Sequence, residues 1–300
     1  MAQNIGFIGI GMMGHGMAKN LLAKGWALTF KANRNRANLD DLLAAGAREA
    51  KSNAECARAA DIVCICVTGS PQVEEIVYGK DGVLEAARPG LLVVDTSTAE
   101  PSSTARIRAD LLARGARMVD APLARTPKEA EEGRLNSMVG ADPEDFARVE
   151  PMLRAFCENV FHVGPPGSGH VLKLVNNMLA MTAACATAEA FAVAARAGLD
   201  LLKAQEVISA GGVNSGIFQM MTARPLKDGD LSSFKFGIAN AYKDLGYYSR
   251  MAAGLPVASP VGAATHQSLV RACAMGYGDK LVTSLLEVQE KLANVEIIPR

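Results

Sequence analysis

The sequence has no excess of charge of either sign: 31 Lys and Arg are balanced by 31 Asp and Glu among 300 residues. Without a global positive field, nothing draws the chain to nucleic acid or to an anionic membrane, which leaves small-molecule chemistry as the default. It is also poor in cysteine, with residues 56, 64, 66, 157, 185 and 273 only, and no two of them stand in the C-x-x-C spacing of a redox or zinc site. Most lie in apolar stretches and read as reduced core residues. His15, His162, His170 and His266 show neither i,i+4 pairing nor metal spacing, so no metal site is assigned. No run of about 18 apolar residues free of charge occurs, and no membrane span is expected. The N-terminus enters a strand-like segment without the basic start, apolar middle and small-residue cleavage site of a secretory signal. Cytoplasmic residence is the expectation.

What the sequence does have is apolar material, 49% of its residues, and length enough for two domains. In the first half, short apolar runs at 5–8, 27–30, 61–67, 91–95 and 116–119 alternate with helical periodicity, seen at 14–24 and 39–45. That rhythm predicts βαβ units and a parallel sheet, extended by two short strands near 137–139 and 160–162. The turn signal Gly164-Pro165-Pro166-Gly167 closes this part. Beyond it the pattern is helical. One long alanine-rich helix over 171–197 ends at Gly198 as a C′ residue, and shorter helices follow around 202–210, 234–253, 259–274 and 283–291. The predicted fold class is an α/β Rossmann-type nucleotide-binding domain, 1–164, followed by an all-α domain, 165–300, joined by a long interdomain helix. A helix apolar on most sides has to be buried, by its own domain and by a second subunit, so a homodimer or homotetramer is expected.

Gly9-Ile10-Gly11-Met12-Met13-Gly14 places G-x-G-x-x-G directly after the first strand and at the mouth of the first helix. Gly9 permits the tight turn, Gly11 lets the backbone approach a pyrophosphate, and Gly14 lets helix and strand pack closely, while free N–H groups of the helix face the anion. The alternative, a glycine turn in an unrelated α/β protein, does not account for this context. An Asp or Glu about 20 residues on, which would hold the ribose 2′-hydroxyl of NAD, is missing. Lys31-Ala32-Asn33-Arg34-Asn35-Arg36 stands there instead. Asn33, Arg34 and Arg36 suit a 2′-phosphate, so NADP is favoured and NAD is possible; a solvated basic turn is the alternative. Val67, Thr68 and Thr98 join the expected cofactor contacts.

Three further blocks follow the glycine loop: Asp95-Thr96-Ser97-Thr98-Ala99-Glu100-Pro101, Gly167-Ser168-Gly169-His170-Val171-Leu172-Lys173-Leu174-Val175-Asn176-Asn177, and Lys243-Asp244-Leu245-Gly246. In order and spacing the four blocks resemble the β-hydroxyacid dehydrogenase family, which contains 3-hydroxyisobutyrate dehydrogenase and tartronate semialdehyde reductase, over essentially the whole chain. The resemblance implies the same two-part fold, an active site in the interdomain cleft, and Lys173 as catalytic acid and base with Asn177 beside it. It also implies that Ser97 and Thr98 bind substrate or nicotinamide and that Phe236 and Lys243 lie near the cofactor, with Asp244 as the helix partner of Lys243. Physical chemistry supports the lysine: residues four apart share a helix face, and burial lowers an ammonium's pKa toward the range useful for proton transfer. Each residue has a plainer alternative: a snorkelling lysine, an asparagine capping a backbone group, Thr98 and Pro101 starting a helix, a solvated face for Lys243, a core Phe236. Met181, on the Asn177 face, is expected to shape the pocket, and His170 to order the loop.

The chain departs from the family at one block. Most members read Asp-Ala-Pro-x-Ser-Gly-Gly, whereas here Asp120-Ala121-Pro122-Leu123 leads to Ala124-Arg125-Thr126. A guanidinium and a hydroxyl at an anion pocket suit a strongly charged tetrahedral headgroup such as a sulfonate, and the substitution resembles the sulfolactaldehyde reductase branch of the family. The alternative is that Arg125 merely pairs with an acidic neighbour such as Glu129. The reaction implied is reduction of a small anionic aldehyde, 3-sulfolactaldehyde or succinic semialdehyde, or oxidation of the corresponding hydroxyacid. Rival readings are an imine reductase of the same architecture, which usually lacks the lysine, and a non-catalytic NADP-binding interaction protein.

Overall fold

The computed structural model describes residues 3–33, Arg36 and 39–299, so the cofactor contact expected of Arg34 lies outside the described residues. The chain divides into two compact units, Met1–Lys173 and Leu174–Arg300.

The first unit opens with β1 (Asn4–Ile8), α1 (Gly14–Ala23), β2 (Ala27–Lys31), α2 (Asp40–Ala44), β3 (Arg48–Glu49), α3 (Asn53–Arg58), β4 (Ile62–Ile65) and α4 (Ser70–Tyr78). It continues with β5 (Leu92–Asp95), α5 (Pro101–Ala113), β6 (Arg117–Asp120), β7 (Leu123–Ala124), α6 (Pro127–Glu131), β8 (Leu135–Gly140), α7 (Pro143–Leu153) and β9 (Cys157–Gly164). One nine-stranded sheet runs β3-β2-β1-β4-β5-β6-β8-β7, with β9 beside β8. The first six of these strands pair in parallel, and the sheet turns antiparallel where β8 meets β6 and β7. The chain order reverses on either side of β1, which lies between β2 and β4, so the loops leaving β1 and β4 open a crevice at the carboxyl ends.

Both faces of the parallel strands are covered, which is why they read as unbroken apolar runs rather than alternating ones. Ile62 and Cys64 enter the core with Phe7 and Phe30, while Val63 and Ile65 enter the opposite core with Ile8 and Val93. The expected strands fall within a residue or two of the observed ones, except that β9 starts three residues earlier than expected, at Cys157; β4 stops at Ile65 and leaves Val67 and Thr68 in a loop. β3, β7 and α6 were not anticipated, because two strand residues or one helical turn leave no periodicity to read, and α3, α4 and α7 also went unassigned, as did α5 apart from the alternative start at Thr98 and Pro101.

A 29-residue helix, α8 (Ser168–Arg196), begins in the first unit and continues into the second. The second unit adds α9 (Leu201–Ser209), α10 (Gly216–Asp228), α11 (Ile238–Ala253), α12 (Pro260–Ala272) and α13 (Leu285–Ala293). α10 went unread because Gly211, Gly212, Gly216 and Pro225 look like breakers. Ser215 starts it by accepting the Phe218 N–H at 3.1 Å, and Gly229 ends it with φ +74°. The helix expected from residue 234 begins only at Ile238, so Phe236 stands ahead of it, with its carbonyl accepting the Val282 N–H at 2.8 Å.

α8 bears on two expectations, that no helix spans a membrane and that its apolar faces are covered by its own domain and a second subunit. By length and composition it is long and apolar enough to cross a membrane, with Lys173 and Glu189 interrupting its apolar run. It is also not buried all round. Leu174, Met181, Ala184, Ala188 and Phe191 are buried, whereas Val175, Leu179 and Val193 are exposed, and only 33% of its most apolar window is covered.

Candidate functional site

The glycine loop separates what folding requires from what a ligand requires. Gly9 adopts φ +107°, and a Cβ there would overlap the Cys66 carbonyl oxygen. A Cβ on Gly14 would overlap the Gly9 carbonyl oxygen, so this glycine is what lets α1 start against β1. Around Gly11, by contrast, a Cβ would meet nothing within 4 Å. No packing contact demands glycine at 11, and the space around it stays open. The first turn of α1 carries no acidic residue and no side-chain cap, although the His15 and Met17 N–H groups already donate to the Gly11 and Met13 carbonyls. Ile10 is buried, Met13 packs on the core, and Met12 is 81% exposed on the outside of the turn. These residues fit a bound dinucleotide.

At the ribose edge Asn33 is exposed, and Arg36 makes a bidentate pair with Glu49, at 2.9 Å for both bonds, just where β3 ends. The guanidinium holds the Glu49 carboxyl below the usual carboxylate range. A 2′-phosphate recruiting Arg36 competes with that carboxylate. Glu49→Gln is therefore expected to lower the KM for NADPH by up to about fivefold, the worth of an exposed pair, and to leave the KM for NADH unchanged. Parallel steady-state titrations check this, and an equal change for both cofactors would remove Arg36 from phosphate recognition.

The carboxyl ends of β4, β5 and β6 carry a connected polar cluster. Ser97 is buried: its Oγ accepts the Val67 N–H at 3.0 Å, its N–H donates to Asp95 Oδ1 at 2.9 Å, and its carbonyl lies 3.2 Å from His170 Nε2. The expectation that Ser97 offers its hydroxyl to substrate is thereby narrowed, because the oxygen already ties the β4 and β5 loops together and only its own proton remains to donate. Thr98 is the more accessible of the two, and Thr68 is exposed. His170 is fully buried, with Nδ1 2.7 Å from Thr104 Oγ1. Burial pushes the Asp95 carboxyl up from its ordinary range, against the pull of His170 3.8 Å away. Asp95, Thr104 and Asp120 were not singled out in the sequence, where an Asp ending a strand looks like an ordinary turn residue.

Arg125 follows β7 with φ +85°, a conformation glycine adopts freely and arginine does not. Its Nη1 donates to the Glu158 carboxylate and to the Arg134 carbonyl, both on neighbouring chain in the same unit. The pairing with Glu129 weighed from the sequence is not made. Glu129 instead accepts the Thr126 N–H at 3.0 Å and the Thr126 hydroxyl at 2.5 Å, a cap that starts α6. Nε and Nη2 of Arg125 keep three further N–H donors, an edge suited to an oxyanion. Ala124 is half-buried in β7.

Lys173 closes the first unit, half-buried three residues after His170. Asn177, one turn further along α8, is 6% exposed and donates from Nδ2 to Asp244 Oδ2 at 2.7 Å. A carboxylate can only accept, so the amide nitrogen of Asn177 must face Asp244, which leaves one N–H for a substrate oxygen. The expected pairing of Lys243 with Asp244 is present at 2.6 Å, and the Lys243 ammonium also lies 4.9 Å from the centre of the Tyr247 ring. Met181 is corrected to a core residue, and Phe236 packs beside Phe234 with ring centres 6.3 Å apart. Gly9 to Gly14, Val67, Thr68, Ser97, Thr98, Ala124 to Thr126 and Lys173 thus belong to one unit; Asn177, Phe236 and Lys243 belong to the other. Among the described residues no three His, Cys, Asp or Glu are grouped to hold a metal.

Residues 4–164 match the family model for the NAD binding domain of 6-phosphogluconate dehydrogenase, and residues 167–289 match that for the NAD-binding domain of NADP-dependent 3-hydroxyisobutyrate dehydrogenase. The chain is 32% identical to a 2-(hydroxymethyl)glutarate dehydrogenase of Eubacterium barkeri, covering 98% of this chain and 97% of the relative. It is 33% identical to a 3-sulfolactaldehyde reductase of Escherichia coli strain K12, covering 94% of each. A solved structure of Mycobacterium tuberculosis 3-hydroxyisobutyrate dehydrogenase with L-serine superposes with a TM-score of 0.85 at 26% identity, covering 96% of this chain and 99% of that one.

Proposed function

Because the chain belongs to the 3-hydroxyisobutyrate dehydrogenase-like family and is an NAD(P)-dependent oxidoreductase acting on CH–OH groups, we propose that it interconverts a small anionic aldehyde and its hydroxyacid. The preferred substrate is headed by a sulfonate, as in 3-sulfolactaldehyde, with the carboxylate of succinic semialdehyde as the other candidate. Arg125 carries this reading. It keeps a guanidinium at a left-handed φ, where the family pattern that the sequence resembles has glycine, with both bonds made by Nη1 and the Nε–Nη2 edge left for a ligand. Both relatives above are named for substrates with acidic groups, one a dicarboxylate and one a sulfonate.

When bound, the nicotinamide supplies hydride to the aldehyde carbon or takes it back. Lys173 gives a proton to the developing alkoxide during reduction and removes it during oxidation. Asn177, oriented by Asp244, donates its remaining N–H to a substrate oxygen, and Arg125 fixes the acidic headgroup, with Thr126 starting α6 beside it through its bonds to Glu129. Thr98 approaches the substrate from the β5 loop. NADP is the preferred cofactor, in line with the NADP-dependent model matched by the second half of the chain. The protein is cytoplasmic, and a second copy of the chain covers the exposed Val175, Leu179 and Val193 of α8.

Arg125→Gly is the deciding variant. Loss of a charge-assisted pair should lower kcat/KM for 3-sulfolactaldehyde about 10- to 100-fold and act less on succinic semialdehyde. The thermal midpoint should stay level or rise, since glycine relieves about 1 kcal/mol of left-handed strain against a weak Glu158 pair. Equal losses for both substrates would remove Arg125 from headgroup recognition.

A further inference from the structure

The Asp120 carboxylate, at the end of β6 and 1% exposed, accepts two backbone N–H bonds. Gly167 donates to Oδ1 at 2.6 Å and His170 to Oδ2 at 2.8 Å. Both N–H groups belong to the start of α8, where a helix has no partners of its own to offer them. A carboxylate reaching from the sheet does here what a neighbouring Ser or Asp does at an ordinary helix start. Two glycines make the approach possible. A Cβ on Gly140 would lie 2.6 Å from Asp120 Oδ1, and one on Gly169 would lie 2.8 Å from Oδ2 and overlap the Met138 carbonyl oxygen. This close seat explains Gly169 ahead of Lys173, while Gly167 turns the chain into α8 at φ +98°.

A second bolt lies beside the first. The buried His170 ring joins the helix start to Thr104 of α5 and to the Ser97 carbonyl beyond β5. Asp95 on β5, opposite Asp120 in register, and His170 are the titratable side chains in this cluster. Lys173 follows within one turn. Its Cα is therefore fixed to the ends of β5 and β6 by groups that sit on the sheet. The carboxylate also offsets the positive potential of the helix N-terminus, which otherwise disfavours an ammonium in the first turns.

We propose that Asp120 is the positioning residue for Lys173, seating the first turn of α8 and sustaining the protonated form of the lysine. This rests on the reading of Lys173 as the acid–base group. In the full-length protein with NADPH, Asp120→Asn keeps one acceptor and sets an amide N–H₂ against the second backbone donor. The expected result is unchanged NADPH affinity, a kcat for aldehyde reduction at least 10-fold lower, and an alkaline limb of the kcat profile displaced to lower pH by about half a unit. The sign follows from losing a negative charge near an ammonium that must be protonated to act. A lower thermal midpoint with kcat per folded enzyme and the limb both unmoved would overturn the proposal. Lys173→Ala, assayed alongside, keeps the two readings apart. Full turnover in that variant removes the lysine from the chemistry, whereas its inactivity together with an unaffected Asp120→Asn removes only Asp120. Should Asp120→Asn not fold, amide hydrogen exchange in the unaltered protein serves. Gly167 and His170 amides exchanging as slowly as the interior of α8 support the seat, and exchange at the rate of a frayed first turn overturns it.

Discussion

Lys173→Ala should cost roughly 10³-fold in kcat, in the range that positioned proton transfer supplies, with the dissociation constant for NADPH unchanged. The lysine stands in the first turns of α8, whereas the cofactor loop lies at the end of β1 on separate backbone. Absorbance at 340 nm with a panel of semialdehydes measures the first quantity, and fluorescence titration the second. Lys173→Arg should be almost as impaired: a guanidinium keeps the charge but does not release its proton at working pH. Together the two variants separate electrostatic anchoring from proton transfer. If Arg restores turnover, the lysine acts as a charge; if Ala retains it, Lys173 is a surface lysine and the proton comes from elsewhere.

The second large effect is a contrast between two glycines of one loop. Gly14→Ala forces a methyl into the Gly9 carbonyl, backbone against backbone, and should destabilise the first unit by about 3 kcal/mol, at the upper end of overpacking costs. Gly11→Ala meets nothing, at a residue without positive φ, and should leave the thermal midpoint in place. It should nevertheless weaken NADPH binding by about 10-fold or more, because the added methyl occupies the space through which a pyrophosphate approaches the backbone. Scanning fluorimetry and cofactor titration on both variants check the pair. A stable Gly14→Ala, or a Gly11→Ala of native affinity, contradicts the division of labour between them.

How much of the site was legible followed the range of the interactions involved. The glycine loop, the basic 31–36 segment and the Lys173–Asn177 spacing are local patterns, fixed by the geometry of one turn or one helix, and they could be read in order along the chain. The partners of those residues could not. Arg36 finds Glu49 across a two-residue strand, Arg125 finds Glu158 rather than the nearer Glu129, and Asn177 finds Asp244 some 67 positions away. Met181, read as a pocket residue, entered the core because α8 turns its Met181–Ala188 side inward. The polar cluster of Asp95, Thr104, Asp120 and His170 left no trace in the sequence beyond two strand-ending aspartates and a histidine after the glycine turn.

By itself, then, the sequence determined a βαβ-built nucleotide-binding half, a helical half, and the chemistry on offer at the glycine loop and at Lys173. Hydrophobic period and turn residues act over a few positions, and those features need nothing more. Only the tertiary structure decided which glycines packing demands and which one it leaves open, which acid holds each cationic or amide side chain, and that a buried carboxylate on β6 accepts N–H groups at the start of the helix bearing the lysine. The physical reason is that a buried polar group must find its partner in space, and strand order, rather than distance along the chain, sets which groups are near.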